Sequence, residues 1–237
     1  MLIVTGGLGR VATVLRPVLP PDTRLVDRLP GAERLDLADP HQVAEAVRGA
    51  DAVLHLAANP SPAQDWATAH RENVVVTEVL LDACGDRVPK VVLASSVHAM
   101  GLYHRSDPRL IDPHWPQRPC CDYGRSKVAV EELGRRHAER HGVSVICLRL
   151  GSTGYPLLER RYADMQLFDD DARQFVLAAL AADVRFGVYF GVSANTPARW
   201  DIGNARADLG YRPVHDSAVL DIPEDQPYEF PNCRMFG

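Results

Sequence analysis

Tyr123 and Lys127 lie four residues apart in the run Tyr123-Gly124-Arg125-Ser126-Lys127, at the start of a helix-like stretch over 122–141. Residues at this spacing share one helical face, so the two side chains point the same way. A free phenol has a pKa of about 10, so acting as a base near neutral pH asks for a shift of roughly three units, about 4 kcal/mol. A neighbouring ammonium group works in that direction. Ser95-Ser96 closes a β-rich run that begins at Lys90, and a hydroxyl there can hold a substrate oxygen against the tyrosine. Tyr123, Lys127 and Ser96 are therefore the candidate catalytic residues.

A second group stands at the head of the chain. Thr5-Gly6-Gly7-Leu8-Gly9-Arg10-Val11-Ala12 joins the first β-rich run to the first helix-like one. Glycine permits a tight turn and a close approach to a pyrophosphate, and a helix N-terminus offers free N–H groups and positive dipole. Gly6, Gly9, Arg10 and Val11 are the candidate contacts. Asp27 ends the next β-rich run. A carboxylate there accepts hydrogen bonds from both ribose hydroxyls and repels a 2′-phosphate, which favours NAD over NADP, although Arg28 beside it works the other way. Asp36-Leu37 follows a short third strand and is placed near the adenine. A bound nicotinamide would add positive charge beside Tyr123.

These residues need a scaffold that brings strand ends together. Short β-rich runs at 2–5, 24–27, 52–56, 90–95 and 143–150 alternate with helix-like segments at 9–19, 40–48, 64–83 and 122–141. Near-continuous apolar strands separated by helices indicate a parallel sheet covered on both faces. Right-handed connections then give an α/β, Rossmann-like doubly wound fold. Residues 99–121 and 151–170 break the alternation and read as long loops at strand C-terminal ends, where such sheets bind ligands. An apolar helix at 172–182 and a strand at 186–193 follow. The expected organisation is a cofactor region over 1–150, with 151–237 a small C-terminal substrate-binding cap of the same globular unit.

Composition agrees. The chain has 237 residues, 46% hydrophobic and 24% charged, as in ordinary globular proteins. The net charge is −5, which disfavours a sequence-independent nucleic-acid partner. No apolar run approaches a membrane span, and the opening residues read as structure, not as a secretory signal. Five cysteines at 84, 120, 121, 147 and 233 lack the spacing of a disulfide framework or a zinc motif. They read as incidental residues in a reducing cytoplasm, with no metal expected.

Taken together, the pieces Thr5-Gly6-x-x-Gly9-x-x-Ala12, Asp27, Asp36-Leu37, His55-Leu56-Ala57-Ala58, Asn73, Ser95-Ser96, Tyr123-x-x-x-Lys127 and Arg149 resemble the extended short-chain dehydrogenase/reductases. The resemblance implies that Tyr123 is the base and Ser96 the catalytic hydroxyl. Lys127 would hold the nicotinamide ribose. Leu56, Ala57 and Ala58 would pass close to the cofactor, and Asn73 would sit in the helix behind it. Ser95-Ser96-Val97-His98, Arg149-Leu150-Gly151-Ser152, Arg161, Phe190-Gly191-Val192-Ser193-Ala194-Asn195 and Leu209-Gly210-Tyr211-Arg212-Pro213 are similar to a subgroup, the uronate dehydrogenases. These oxidise the C1 hydroxyl of galacturonate or glucuronate to an aldarolactone with NAD. That likeness implies that Arg161 grips the substrate carboxylate, a task suited to a planar guanidinium, and that Ser61, His98 and Ser152 contact the sugar. A homo-oligomer paired through 64–83 and 122–141 is also implied. Departures are Ala12 for the third glycine and Val97 where the subgroup has Asn, which leaves the exact sugar open.

The runner-up readings are a nucleotide-sugar epimerase or dehydratase with tightly held NAD, another NAD(P)-dependent sugar oxidoreductase, and a non-catalytic NAD-sensing protein. His137 and His141 are expected on a solvated helix end. Glu131-Glu132 reads as exposed helix charge, and Asp169–Asp171 as helix-capping acids.

Overall fold

The computed structural model describes residues 1–223, 225 and 227–236. In chain order the elements are β1 (Leu2–Thr5), α1 (Arg10–Leu15), β2 (Arg24–Asp27), β3 (Glu33–Arg34), α2 (Pro40–Ala46), β4 (Ala52–His55), α3 (Trp66–Ala69), α4 (Val76–Cys84), β5 (Lys90–Ser96), α5 (Gly101–Ser106), α6 (Asp122–His141), β6 (Ser144–Leu150), β7 (Ser152–Thr153), β8 (Gln166–Leu167), α7 (Asp169–Ala181), β9 (Phe186–Gly191) and α8 (Gly203–Asp208).

Seven strands form one parallel sheet in the order β3-β2-β1-β4-β5-β6-β9. The order reverses between β1 and β4, and open α/β sheets bind ligands at such a switch point. β1 is buried along its whole length, and β6 is buried from Val145 onward. Both faces of the sheet are covered. Leu15, Val92, Ile146, Phe175 and Tyr189 lie in one apolar cluster and Val43, Val53, Leu80, Val91 and Val130 in the other. Val and Ile suit these strands because branched side chains pack on a pleated surface.

Local chemistry sets the helix ends. Asp39 caps α2 by accepting the His41 and Gln42 N–H groups, with Pro40 at the first helical position. α6 matches the expected 122–141 and stops at Gly142, whose φ of 73° supplies the left-handed turn. The first helix is shorter than expected. It passes into a 3₁₀ turn at Arg16–Val18, where Pro17 lacks the N–H needed to continue. The 64–83 helix runs from Trp66 to Cys84 but widens to a π turn over His70–Val75. The expected loop 99–121 in fact opens with a 3₁₀ turn, Val97–Met100, running into α5. β9, beyond residue 150, pairs with β6 from Val145 to Leu150 and completes the main sheet.

Candidate active site

Ser96 is the last residue of β5, and its Oγ accepts the His98 N–H (3.2 Å), which turns the chain into the following 3₁₀ turn. Tyr123 and Lys127 lie in the first two turns of α6 and are 8% and 4% exposed. Ser96, Tyr123 and Lys127 line one cavity of about 410 Å³ at the C-terminal ends of β5 and β6. The Lys127 Nζ donates to the Ala94 carbonyl (2.8 Å) and lies 5.7 Å from the centre of the Tyr123 ring. Burial pushes the Lys127 ammonium down to about 8, with Glu131 pulling the other way. Burial raises the Tyr123 phenol above its usual range, and the Ser96 hydroxyl opposes that shift.

Next to this cavity lies another of about 420 Å³, lined by Gly6, Gly9, Asp27, Asp36, Leu37, Leu56, Ala57 and Ala58. Arg10 and Val11 line the first cavity, and Gly6, Gly9, Leu56 and Ala58 border both. The glycine turn is sterically required. Gly6 has φ +67°, and a Cβ there would stand 2.7 Å from the Ala57 nitrogen. Gly9 is the N-cap of α1 and brings no side-chain cap, which leaves the amides of the first turn for a ligand. Asp27 Oδ2 accepts the Leu8 N–H (3.1 Å) and its Oδ1 accepts the Leu29 N–H (3.1 Å), so one carboxylate shapes the turn and borders the cavity.

Buried polar chains tie these strand ends together. The Ala57 N–H donates to Thr5 Oγ1 (3.3 Å), and Thr5 Oγ1 lies 2.7 Å from His55 Nδ1. His55 Nε2 lies 3.0 Å from Thr77 Oγ1, which donates to the Asn73 carbonyl (2.6 Å). Because Thr77 gives its proton to Asn73, it must accept from His55 Nε2, so Nδ1 is left to accept from Thr5. Burial keeps this imidazole neutral, with its pKa pushed down to about 3. Asn73, in the π turn, donates to Ser126 Oγ (2.9 Å) and to the Asn59 carbonyl (3.1 Å). It borders neither cavity described above. It braces α6 between Tyr123 and Lys127.

Ser152 and His98 line the cavity with Ser96. Ser61 and Arg161 are not among its lining residues. Ser61 Oγ accepts the Ala63 N–H (3.3 Å). Arg161 stands in a 3₁₀ turn, Arg160–Met165, with its Nε 3.0 Å from Glu159 and 3.8 Å from Asp225. The next residue, Tyr162, does line the cavity.

Three features depart from what the sequence leads one to expect. Glu131, expected as exposed charge, is 2% exposed. It accepts from Arg149 Nε (2.8 Å), Arg149 Nη2 (2.7 Å) and Ser95 Oγ (2.6 Å). The i, i+4 step from Lys127 was the available signal, since it places Glu131 on the same face as Tyr123. His137, expected in solvent, is 6% exposed. The cysteines at 120, 121 and 233, expected as incidental, converge on His98 with all four ligand-type atoms within 4.8 Å of one another.

A doubly wound parallel sheet with a glycine turn at its switch point, and a serine, tyrosine and lysine facing one cavity beside it, defines a dinucleotide-dependent oxidoreductase. Comparison with known proteins agrees. The model of the NAD dependent epimerase/dehydratase family matches residues 2–156, and the chain belongs to that family, the extended short-chain dehydrogenase/reductases. It is 32% identical to the NAD-dependent glucose-6-phosphate dehydrogenase of Haloferax volcanii, over 92% of this chain and 94% of that one. It is 31% identical to a uronate dehydrogenase of Pseudomonas syringae, over 92% of this chain and 83% of that one. A mutant uronate dehydrogenase from Agrobacterium tumefaciens complexed with NAD has the same fold, with a TM-score of 0.81 and 29% identity over 92% of this chain and 86% of that one. The chain is an NAD-dependent dehydrogenase. Among the described residues, no helix is long and apolar enough to cross a membrane.

Proposed function

We propose that the protein oxidises the C1 hydroxyl of a cyclic hexuronate, such as galacturonate or glucuronate, to the aldarolactone. The observation that carries this reading is the meeting of Ser96, Tyr123 and Lys127 in one cavity that Ser152 and His98 also line. Ser96 and Tyr123 hydrogen-bond the C1 hydroxyl, and the Tyr123 phenolate takes its proton. The Lys127 ammonium lowers the cost of that phenolate through its charge. NAD, when bound, accepts the hydride. Gly6 and Gly9 would give its pyrophosphate close backbone approach, Asp27 would hold its ribose hydroxyls, Asp36 and Leu37 would receive the adenine, and Ala57 and Ala58 would border the nicotinamide. Ser152 and the His98 ring hold sugar hydroxyls, and Arg161 exchanges Glu159 or Asp225 for the substrate carboxylate.

NADH absorbance on adding NAD and a panel of uronates and aldoses tests this. Galacturonate or glucuronate should give NADH. Tyr123→Phe should keep NAD binding and lose turnover. NADH from neutral aldoses but not uronates would replace the hexuronate by a neutral sugar, the reading favoured by the carboxylates already beside Arg161. No NADH from either class would remove the proposal.

A further inference from the structure

Beside the cavity, three stretches far apart in sequence bring soft donor atoms together. His98 lies in the turn after β5, Cys120 and Cys121 immediately precede α6, and Cys233 lies in the C-terminal tail. His98 Nδ1 is 3.2 Å from the sulfur of Cys120, 3.5 Å from that of Cys121 and 3.7 Å from that of Cys233. The Cys120 sulfur is 3.5 Å from Cys233 and 4.0 Å from Cys121. A tetrahedral zinc ion, with bonds of about 2.3 Å to sulfur and 2.0–2.1 Å to nitrogen, needs edges of about 3.8 Å between sulfurs and about 3.5 Å from sulfur to nitrogen. The observed spacings bracket those edges. The three cysteines are buried, at 1%, 7% and 2% exposure.

We propose that His98, Cys120, Cys121 and Cys233 bind one zinc ion in a closed tetrahedral site. Three S–H bonds ionise as the ion enters, so three protons leave for each zinc bound, and the neutral imidazole adds its Nδ1 lone pair. The backbone is shaped for this cluster. A Cβ on Gly101 would lie 2.4 Å from the Cys120 sulfur, and one on Gly124 would lie 2.3 Å from the His98 carbonyl. Only glycine lets α5 come so close to Cys120 and α6 so close to the turn that carries His98. The Cys121 sulfur also caps α6, accepting the Gly124 N–H (3.5 Å). The Arg234 N–H donates to the Cys120 carbonyl (2.9 Å), which seats the tail against the same turn.

Four protein ligands leave no open position, so the ion is structural and the hydride chemistry stays with NAD. Its place gives it a task. Ser96 is two residues before one ligand and Tyr123 two residues after another, so the ion fixes the strand end carrying the hydroxyl against the helix carrying the phenol. It also fixes the His98 tautomer, leaving the Nε2–H as the ring's donor in a cavity that His98 lines.

The test uses the full chain, purified without chelators, with metal content measured by plasma mass spectrometry and cobalt(II) reconstitution followed by absorption. One zinc per chain, and the visible bands and thiolate charge transfer of tetrahedral cobalt, are expected. Cys233→Ala and Cys120→Ala should lower zinc affinity at least about tenfold, and Cys84→Ala, a buried cysteine outside the cluster, should keep it. Far-ultraviolet circular dichroism separates loss of zinc from loss of fold. Folded parent that takes up no zinc from excess, that holds iron instead, or that carries a Cys120–Cys233 disulfide when freshly purified overturns the proposal.

Discussion

Replacing Lys127 by Met should give an inactive chain that is more stable than the parent at pH 7. Burial holds the Lys127 ammonium at about 8 against an ordinary 10.5, and each unit is worth 1.36 kcal/mol. The charged side chain therefore costs the folded state about 3 kcal/mol at neutral pH. Met has similar length and buries no charge, but it gives up the charged bond from Nζ to the Ala94 carbonyl, about 1.5–3 kcal/mol. A net gain of about 1 kcal/mol remains, or a rise of roughly 2–4 °C in Tm for a chain of this size. The sign of the pH dependence follows. Below about pH 8 the cost is fully present. Between about 8 and 10.5 the folded lysine has lost its proton while the unfolded one still binds it, so the parent's stability rises with pH. Above 10.5 both are neutral, and the parent is ahead by about the one hydrogen bond. Guanidinium unfolding of cofactor-free parent and variant at pH 7, 8.5 and 10 measures this, with NADH formation assayed in parallel. A variant less stable than the parent at pH 7, or a difference that does not change with pH, would refute the reasoning.

Glu131→Ala should cost about 3–5 kcal/mol by stranding the buried Arg149 guanidinium, and Glu131→Leu with Arg149→Met should recover most of it; a denaturant double-mutant cycle measures both. Asp27→Ala should raise the KM for NAD by about 10–100-fold through lost charged hydrogen bonds, with little change in kcat and new use of NADP; steady-state kinetics with each cofactor decides. Gly151→Ala should destabilise by about 3 kcal/mol, because its Cβ would stand 1.9 Å from the Met165 carbonyl and push β8 off the end of β6. Thermal unfolding reads that loss.

The sequence disclosed what depends on local spacing. Tyr123 and Lys127 share a helical face by arithmetic, the glycine turn sits between its own strand and helix, and the apolar runs report a sheet covered on both sides. Features made by tertiary contact were hidden. Glu131 and Glu132 are neighbours with one chemistry, and only the pairing with Arg149 on β6 buries the first and leaves the second on the surface. Adjacent cysteines fit no zinc spacing in sequence, and the other two donor atoms of the cluster, on His98 and Cys233, meet them only in the fold. The π turn at His70–Val75 carries no composition cue. It carries Asn73, whose side chain donates to Ser126.

Tyr123, Lys127 and Glu131 recur every four residues along the buried face of α6, and this register explains why the lysine pKa stays low. A carboxylate one turn below an ammonium would ordinarily pair with it and raise its pKa. Here Arg149 takes both carboxylate oxygens and Ser95 adds a third bond. Glu131 therefore offers Lys127 only a long-range attraction, too weak to offset burial, and the pKa falls to about 8. The fold thus keeps an under-compensated cation beside the phenol. A charge that is poorly neutralised by its own helix is the one with most to gain from a phenolate 5.7 Å away from it at the ring centre. The cost in stability and the uncompensated charge have the same origin, so a substitution that frees Glu131 to pair with Lys127 should raise the lysine pKa and, on the proposed mechanism, lower NADH formation with it.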